Sequence, residues 1–132
     1  MRGRDVSTWI LLLLGLASIA NGVIMLFASE PWFASVAART GPFNRHLVQD
    51  VGVAFVTAGI ASVWAARTPA WRTPLATAAA LFLGLHGAIH LVEVASGAVS
   101  PGHLLEDFPG VYLPALLLGA IALRSRAAAA RA

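Results

Sequence analysis

The sequence predicts an all-α, polytopic membrane protein: a four-transmembrane-helix bundle formed as one domain by residues 1–132. Three observations predict it. Of 132 residues, 58% are hydrophobic and only 11% charged, and the mean hydropathy is +0.78, far beyond what the core of a soluble domain requires. Four apolar segments recur along the chain, about 7–28, 44–66, 73–96 and 110–130. The arginines cluster between and beyond these segments in an alternating pattern.

The first three segments each reach the roughly 20 residues that span a hydrocarbon core about 30 Å thick. The fourth is shorter in its purely apolar part, Val111 to Leu123. Its helix reaches further if Arg124 and Arg126 snorkel to the headgroups and Ala127 to Ala130 prolong it. All four are read as helices because backbone polar groups in lipid must be satisfied within the segment. The start of the chain also matches a secretory signal peptide, with Arg2 and Arg4 before an apolar run and small residues at Ser18 to Ala20. The run continues through Val23, Ile24, Met25, Leu26 and Phe27, which favours a membrane span.

Arg2, Arg4, Arg67, Arg72, Arg124, Arg126 and Arg131 fall on one side of the predicted membrane, and only Arg39 and Arg45 on the other. The positive-inside rule then predicts a multi-pass protein of the plasma (inner) membrane with both termini cytoplasmic. Trp9, Trp64 and Trp71 are expected at the inner interface, and Trp32, Phe33 and Tyr112 at the outer one. With no cysteine, the chain has no disulfide, thiolate metal site or thiol nucleophile. No basic patch with interleaved aromatics points to nucleic acid, and no phosphate loop, nucleophile triad or dinucleotide fingerprint is present. Catalytic residues are therefore unknown at this level. The expected surroundings are the lipid bilayer, with a homo-oligomer compatible with them.

The polar residues sort by depth. All four histidines and five of six acids, Glu30, Asp50, Glu93, Glu106 and Asp107, belong to the outer half of the chain so oriented. In "LHGAIHLVE", His86, His90 and Glu93 stand at i, i+4 and i+7, on one stripe of the third span. His46 and Asp50, at i and i+4, make a second stripe on the second span. If the stripes face each other, His46, Asp50, His86, His90 and Glu93 form a ligand set for zinc, iron, copper or manganese. Asn21, Arg45, Gln49 and Tyr112 are the supporting polar partners. A bis-histidine haem would require His46 opposite His86 or His90, because two histidines of one helix cannot easily flank one haem. The same groups also suit a proton, quinone or small-ligand binding or transport component, or polar helix packing alone. Intramembrane ionisable groups are costly to bury, which favours a functional role. His103, Glu106 and Asp107 are expected in a solvated outer loop. Gly15, Gly22, Gly52, Gly59, Gly84 and Gly87 are expected to permit close helix approach.

The segment "FNRHLVQDVGVAFVTAGIASVWA", residues 43–65, followed by "LHGAIHLVE", resembles small four-helix bacterial membrane proteins of the DoxX-like group and related uncharacterised families. The resemblance covers about residues 43–96 and rests on Asn44, Arg45, His46, Asp50 and Gly52. The group takes its name from a subunit of a thiosulfate:quinone oxidoreductase, so the resemblance implies respiratory or quinone-linked chemistry and, with it, a respiratory partner subunit. It implies no catalytic residue here, and the absence of cysteine sets this chain apart from a sulfur relay.

Overall fold

The computed structural model describes residues 5–131. Arg2 and Arg4, which enter the arginine pattern, lie outside the described residues. The architecture is the all-α membrane bundle that the composition predicts, with four helices long and apolar enough to cross a membrane and no strand among the described residues.

Helix α1 runs Val6–Phe27 and starts where Asp5 caps it. Asp5 Oδ1 accepts from both the Thr8 backbone N–H and the Thr8 hydroxyl at 2.8 Å, satisfying donors that a helix N-terminus leaves open. A short helix α2, Ser29–Val36, and a 3-10 turn, Ala38–Thr40, follow. Gly41, at φ 129°, adopts a backbone conformation that residues with a Cβ avoid, and it ends this stretch. Helix α3, Arg45–Arg67, is capped by Asn44, whose side-chain oxygen accepts from Leu47 N–H at 3.1 Å. Helix α4 spans Arg72–Ala95, and Gly97, at φ 76°, turns the chain beyond it.

The fourth crossing departs from the expected bounds. It begins at α5, His103–Asp107, passes through a π-helical turn at Phe108–Tyr112 and continues as α6, Leu113–Ala129. Pro109 lacks an N–H and cannot sustain regular α-helical bonding, and Leu113 N–H instead reaches Phe108 carbonyl, five residues back. His103, Glu106 and Asp107 are thereby helical and continuous with the span, where the sequence suggested a solvated loop.

Helix α1 packs on α3, α3 on α4 and α4 on α6, while α6 meets α1 only lightly. The α1–α3 contact is the closest. A Cβ placed on Gly22 would lie 2.5 Å from Gly52 carbonyl oxygen, and one on Gly59 would lie 2.6 Å from Gly15 carbonyl oxygen. The absence of side chains at these four positions lets the two backbones touch. Gly84 has nothing nearby, so it does not join this close-packing role. Leu11, Ala65, Ala76, Ala79, Leu83, Leu118 and Ile121 form the buried centre. Leu13, Leu16, Val53, Ile60, Leu81, Leu85, Ile89, Leu116 and Leu123 are exposed around the outside, a belt suited to lipid contact.

At the end of the bundle where α1 begins, Arg72 joins three helices. Its guanidinium donates to Asp5 Oδ2 at 3.0 Å, to Thr8 Oγ1 at 2.9 Å and to Ala65 carbonyl at 3.4 Å. At the opposite end, Gln49 Nε2 donates to Leu26 carbonyl at 3.0 Å, tying α3 to the last turn of α1.

Candidate functional site

A cavity of about 580 Å³ opens at the end of the bundle opposite Asp5 and Arg72. Its depth is apolar, with Leu14 and Ala17 from α1, Val51 and Phe55 from α3 and Leu83 from α4. Polar groups gather toward its rim: His86, His90 and Glu93 from α4, Arg39 from the turn after α2, and His103, Glu106 and Asp107 from α5.

These groups form one connected chain. His90 Nδ1 lies 2.8 Å from Asp107 Oδ2 and 3.9 Å from Glu93 Oε2. His90 Nε2 faces His86 Nε2 at 3.4 Å. Arg39 reaches Asp107 at 3.8 Å and Glu106 at 3.4 Å, and His103 Nδ1 lies 2.8 Å from Glu106 Oε2. The Asp107 side chain is only 14% exposed and that of His90 22%, so their contact is sheltered, whereas the Arg39–Glu106 pair lies open at the rim. The His86 ring is held on its other sides by aromatic rings: it stacks on Phe82 with centroids 6.3 Å apart and meets Phe55 edge-on at 5.7 Å.

The acceptor at His90 Nδ1 sets the chemistry of that imidazole. A carboxylate there holds the neutral ring with its proton on Nδ1, leaving the Nε2 lone pair directed toward His86. His90 can thus accept a hydrogen bond or bind a cation through Nε2 without giving up its contact with Asp107.

The other predicted residues are placed differently. His46 Nε2 pairs with Asp50 Oδ2 at 3.3 Å, but their side chains are 86% and 63% exposed, and neither lines the cavity. The expectation that this stripe faces His86, His90 and Glu93 is therefore corrected. Gly52 and Gly59 must face α1, which sets the rotation of α3 and sends positions 46 and 50 to its far side. The bis-histidine haem arrangement requires His46 across from His86 or His90, and the structure places His46 on the exposed side of α3, paired with Asp50. Among the described residues, no group of three histidine, aspartate or glutamate side chains converges to hold a metal ion, so the five-residue ligand set is not assembled.

Asn21 lines the cavity and accepts from the Trp32 indole N–H at 2.9 Å. This contact pins α2 against α1 and gives Trp32 a place in the cavity wall beyond that of an interfacial anchor. Arg45 is exposed at the start of α3, and Gln49 serves the α1 terminus. The Tyr112 ring covers Gly87, where an added Cβ would lie 3.3 Å from it. Its hydroxyl is buried with no hydrogen-bond partner among the described residues.

Asp107, Arg39 and Phe55 belong to the site but were not among the predicted site residues. A sequence signal for Asp107 does exist: two acids at 106 and 107 stand just before an apolar run, a placement favoured at a helix N-terminus. Comparison of the chain with protein-family models, curated proteins and solved structures finds no match.

Proposed function

We propose that this protein binds a small amphipathic molecule within the membrane, with a ring-bearing, hydrogen-bonding head at His86 and His90 and an apolar body in the deeper cavity. The observation that carries the reading is the cavity itself. Its volume of about 580 Å³ falls in the range of small-molecule sites, which pair apolar walls with a few convergent polar groups. Among the described residues that line the cavity, three carboxylates, Glu93, Glu106 and Asp107, stand at the polar end against one guanidinium, that of Arg39. This balance disfavours an anionic head, and the imidazoles of His86 and His90 offer hydrogen bonds to a neutral one. A quinone or its quinol has that chemistry: carbonyl or hydroxyl groups for the imidazoles, a flat ring for Phe55 and an apolar tail. The DoxX-like resemblance of residues 43–96 points in the same direction.

Titration of the detergent-purified protein with a short-chain quinone and with its quinol tests this. Saturable binding of at least one is expected. Ala17→Trp, which fills the apolar depth, is expected to abolish it, and His90→Ala to weaken it about tenfold, equivalent to about 1.4 kcal/mol. Failure of both compounds to bind, or binding indifferent to Ala17→Trp, would overturn the reading.

The arginine pattern supports a plasma-membrane protein with both termini in the cytoplasm. A C-terminal reporter active only outside the cytoplasm is expected to stay silent, and its activity would reverse the orientation.

A further inference from the structure

We propose that His86 and His90 together chelate one divalent transition-metal ion in the cavity through their Nε2 atoms, with Asp107 orienting His90. The inference deepens the proposed function and rests on the same cavity admitting solutes, but not on an organic molecule occupying it.

The geometry starts from the spacing. Histidines at i and i+4 share a helix face, a placement used for zinc by two histidines of one helix. In this protein the spacing is realised atom to atom: the two Nε2 atoms converge at 3.4 Å. Two imidazole nitrogens about 2.0–2.1 Å from one tetrahedral zinc would stand about 3.3–3.4 Å apart. As a direct hydrogen bond the same separation is long, since protein hydrogen bonds with an N–H donor centre near about 2.9–3.0 Å. Two lone pairs facing each other at this distance repel unless a proton or a cation lies between them.

The surroundings add two further elements. Asp107 Oδ2, 2.8 Å from His90 Nδ1, is the carboxylate that commonly stands behind a metal-bound histidine, fixing its tautomer and raising its basicity. Phe55 and Phe82 hold the His86 ring in place, limiting what it loses in freedom on coordination. Glu93 and Asp107 place negative charge within the same wall, which offsets the cost of a dication there. Glu93 does not complete the ligand set, because it approaches His90 on the Nδ1 side at 3.9 Å. Two protein ligands therefore leave positions for water or for the bound molecule's own oxygen. This differs from the five-residue set: His46 and Asp50 take no part, and Asp107 acts through His90.

The test uses untagged, chelator-stripped protein in detergent, titrated with cobalt(II) and followed by visible absorption, then displaced with zinc(II). One saturating equivalent of cobalt is expected in the wild type. His86→Gln and His90→Gln are expected to lose the band, His46→Ala to keep it, and Asp107→Asn to weaken binding roughly 10–100-fold. Copper(II) loading supplies a readout that needs no variant: nitrogen superhyperfine splitting from two imidazoles is expected in the wild-type spectrum. The proposal is overturned if wild-type protein gives no saturable band, if His86→Gln and His90→Gln bind as wild type does, or if His46→Ala abolishes binding. Quinone titration of the stripped protein separates the two readings. Quinone binding without cobalt binding sinks this inference alone, and cobalt binding without quinone or quinol binding sinks only the amphipathic-ligand reading.

Discussion

Asp107 holds His90 across the seam between the start of the fourth span and α4, with Oδ2 2.8 Å from Nδ1. The contact joins residues 17 positions apart and connects the rim to the deeper His86.

Removing that carboxylate is expected to destabilise the bundle. Asp107 also meets Arg39 at 3.8 Å, so Asp107→Ala leaves two polar partners without it. A hydrogen bond involving a charged group contributes about 1.5–3 kcal/mol, and Asp107→Ala is expected to lower the unfolding free energy by an amount in that range. Asp107→Asn, which keeps an acceptor oxygen, should lose less. Denaturant titration of the three proteins in one detergent checks the order, and equal stability for all three would show that the contact is energetically idle.

Tyr112→Phe is expected to leave stability unchanged or raise it. The Tyr112 hydroxyl is buried without a partner among the described residues, so removing it relieves a desolvation cost while keeping the ring over Gly87. A melting temperature that drops by several degrees would reveal a partner for the hydroxyl.

Gly22→Ala and Gly59→Ala are expected to destabilise, each by about 1–3 kcal/mol as in other overpacked contacts. Their new Cβ atoms would press on backbone carbonyl oxygens of the facing helix, which cannot rotate away as a flexible side chain can. Gly84→Ala, with nothing within 4 Å, is the control and should melt at or slightly above the wild type, since alanine favours a helix interior over glycine. Thermal unfolding that ranks Gly84→Ala with the other two would count against glycine-mediated contact between α1 and α3.

Asp5→Ala is expected to cost about 0.5–2 kcal/mol as a lost helix cap. The Asp5 carboxyl is held below its ordinary range chiefly by its hydrogen bonds from the Thr8 side chain and backbone, with Arg72 adding to the effect. A depressed folded value means that the contribution is complete above the unfolded value of about 3.9 and declines as the pH falls through the lower folded one. The stability difference between wild type and Asp5→Ala should therefore shrink on acidification below about pH 4. A difference that grows there would reverse the assignment.

His46→Ala is expected to change stability by less than about 1 kcal/mol, because exposed ion pairs contribute little. The pair with Asp50 is mostly open. A larger loss, read by thermal melting, would mean that another surface covers this face of α3.

The membrane class and the four crossings were legible in the sequence because hydrocarbon thickness imposes a minimum length and backbone satisfaction imposes the helix. Residues 6–27, 45–67 and 72–95 accordingly lie within a residue or so of the expected spans. The stripe of His86, His90 and Glu93 was legible too, since spacing along one helix determines which residues share a face. Spacing does not determine which way that face turns. The rotation of α3 depends on Gly52 and Gly59 meeting α1, a contact between segments distant in sequence, and that contact sends His46 and Asp50 outward. Likewise Asp107 read as part of a polar loop until the π turn at Phe108–Tyr112 carried it into the bundle beside His90. Local periodicity thus determined the helices and the histidine face, while packing between helices decided which charges that face meets.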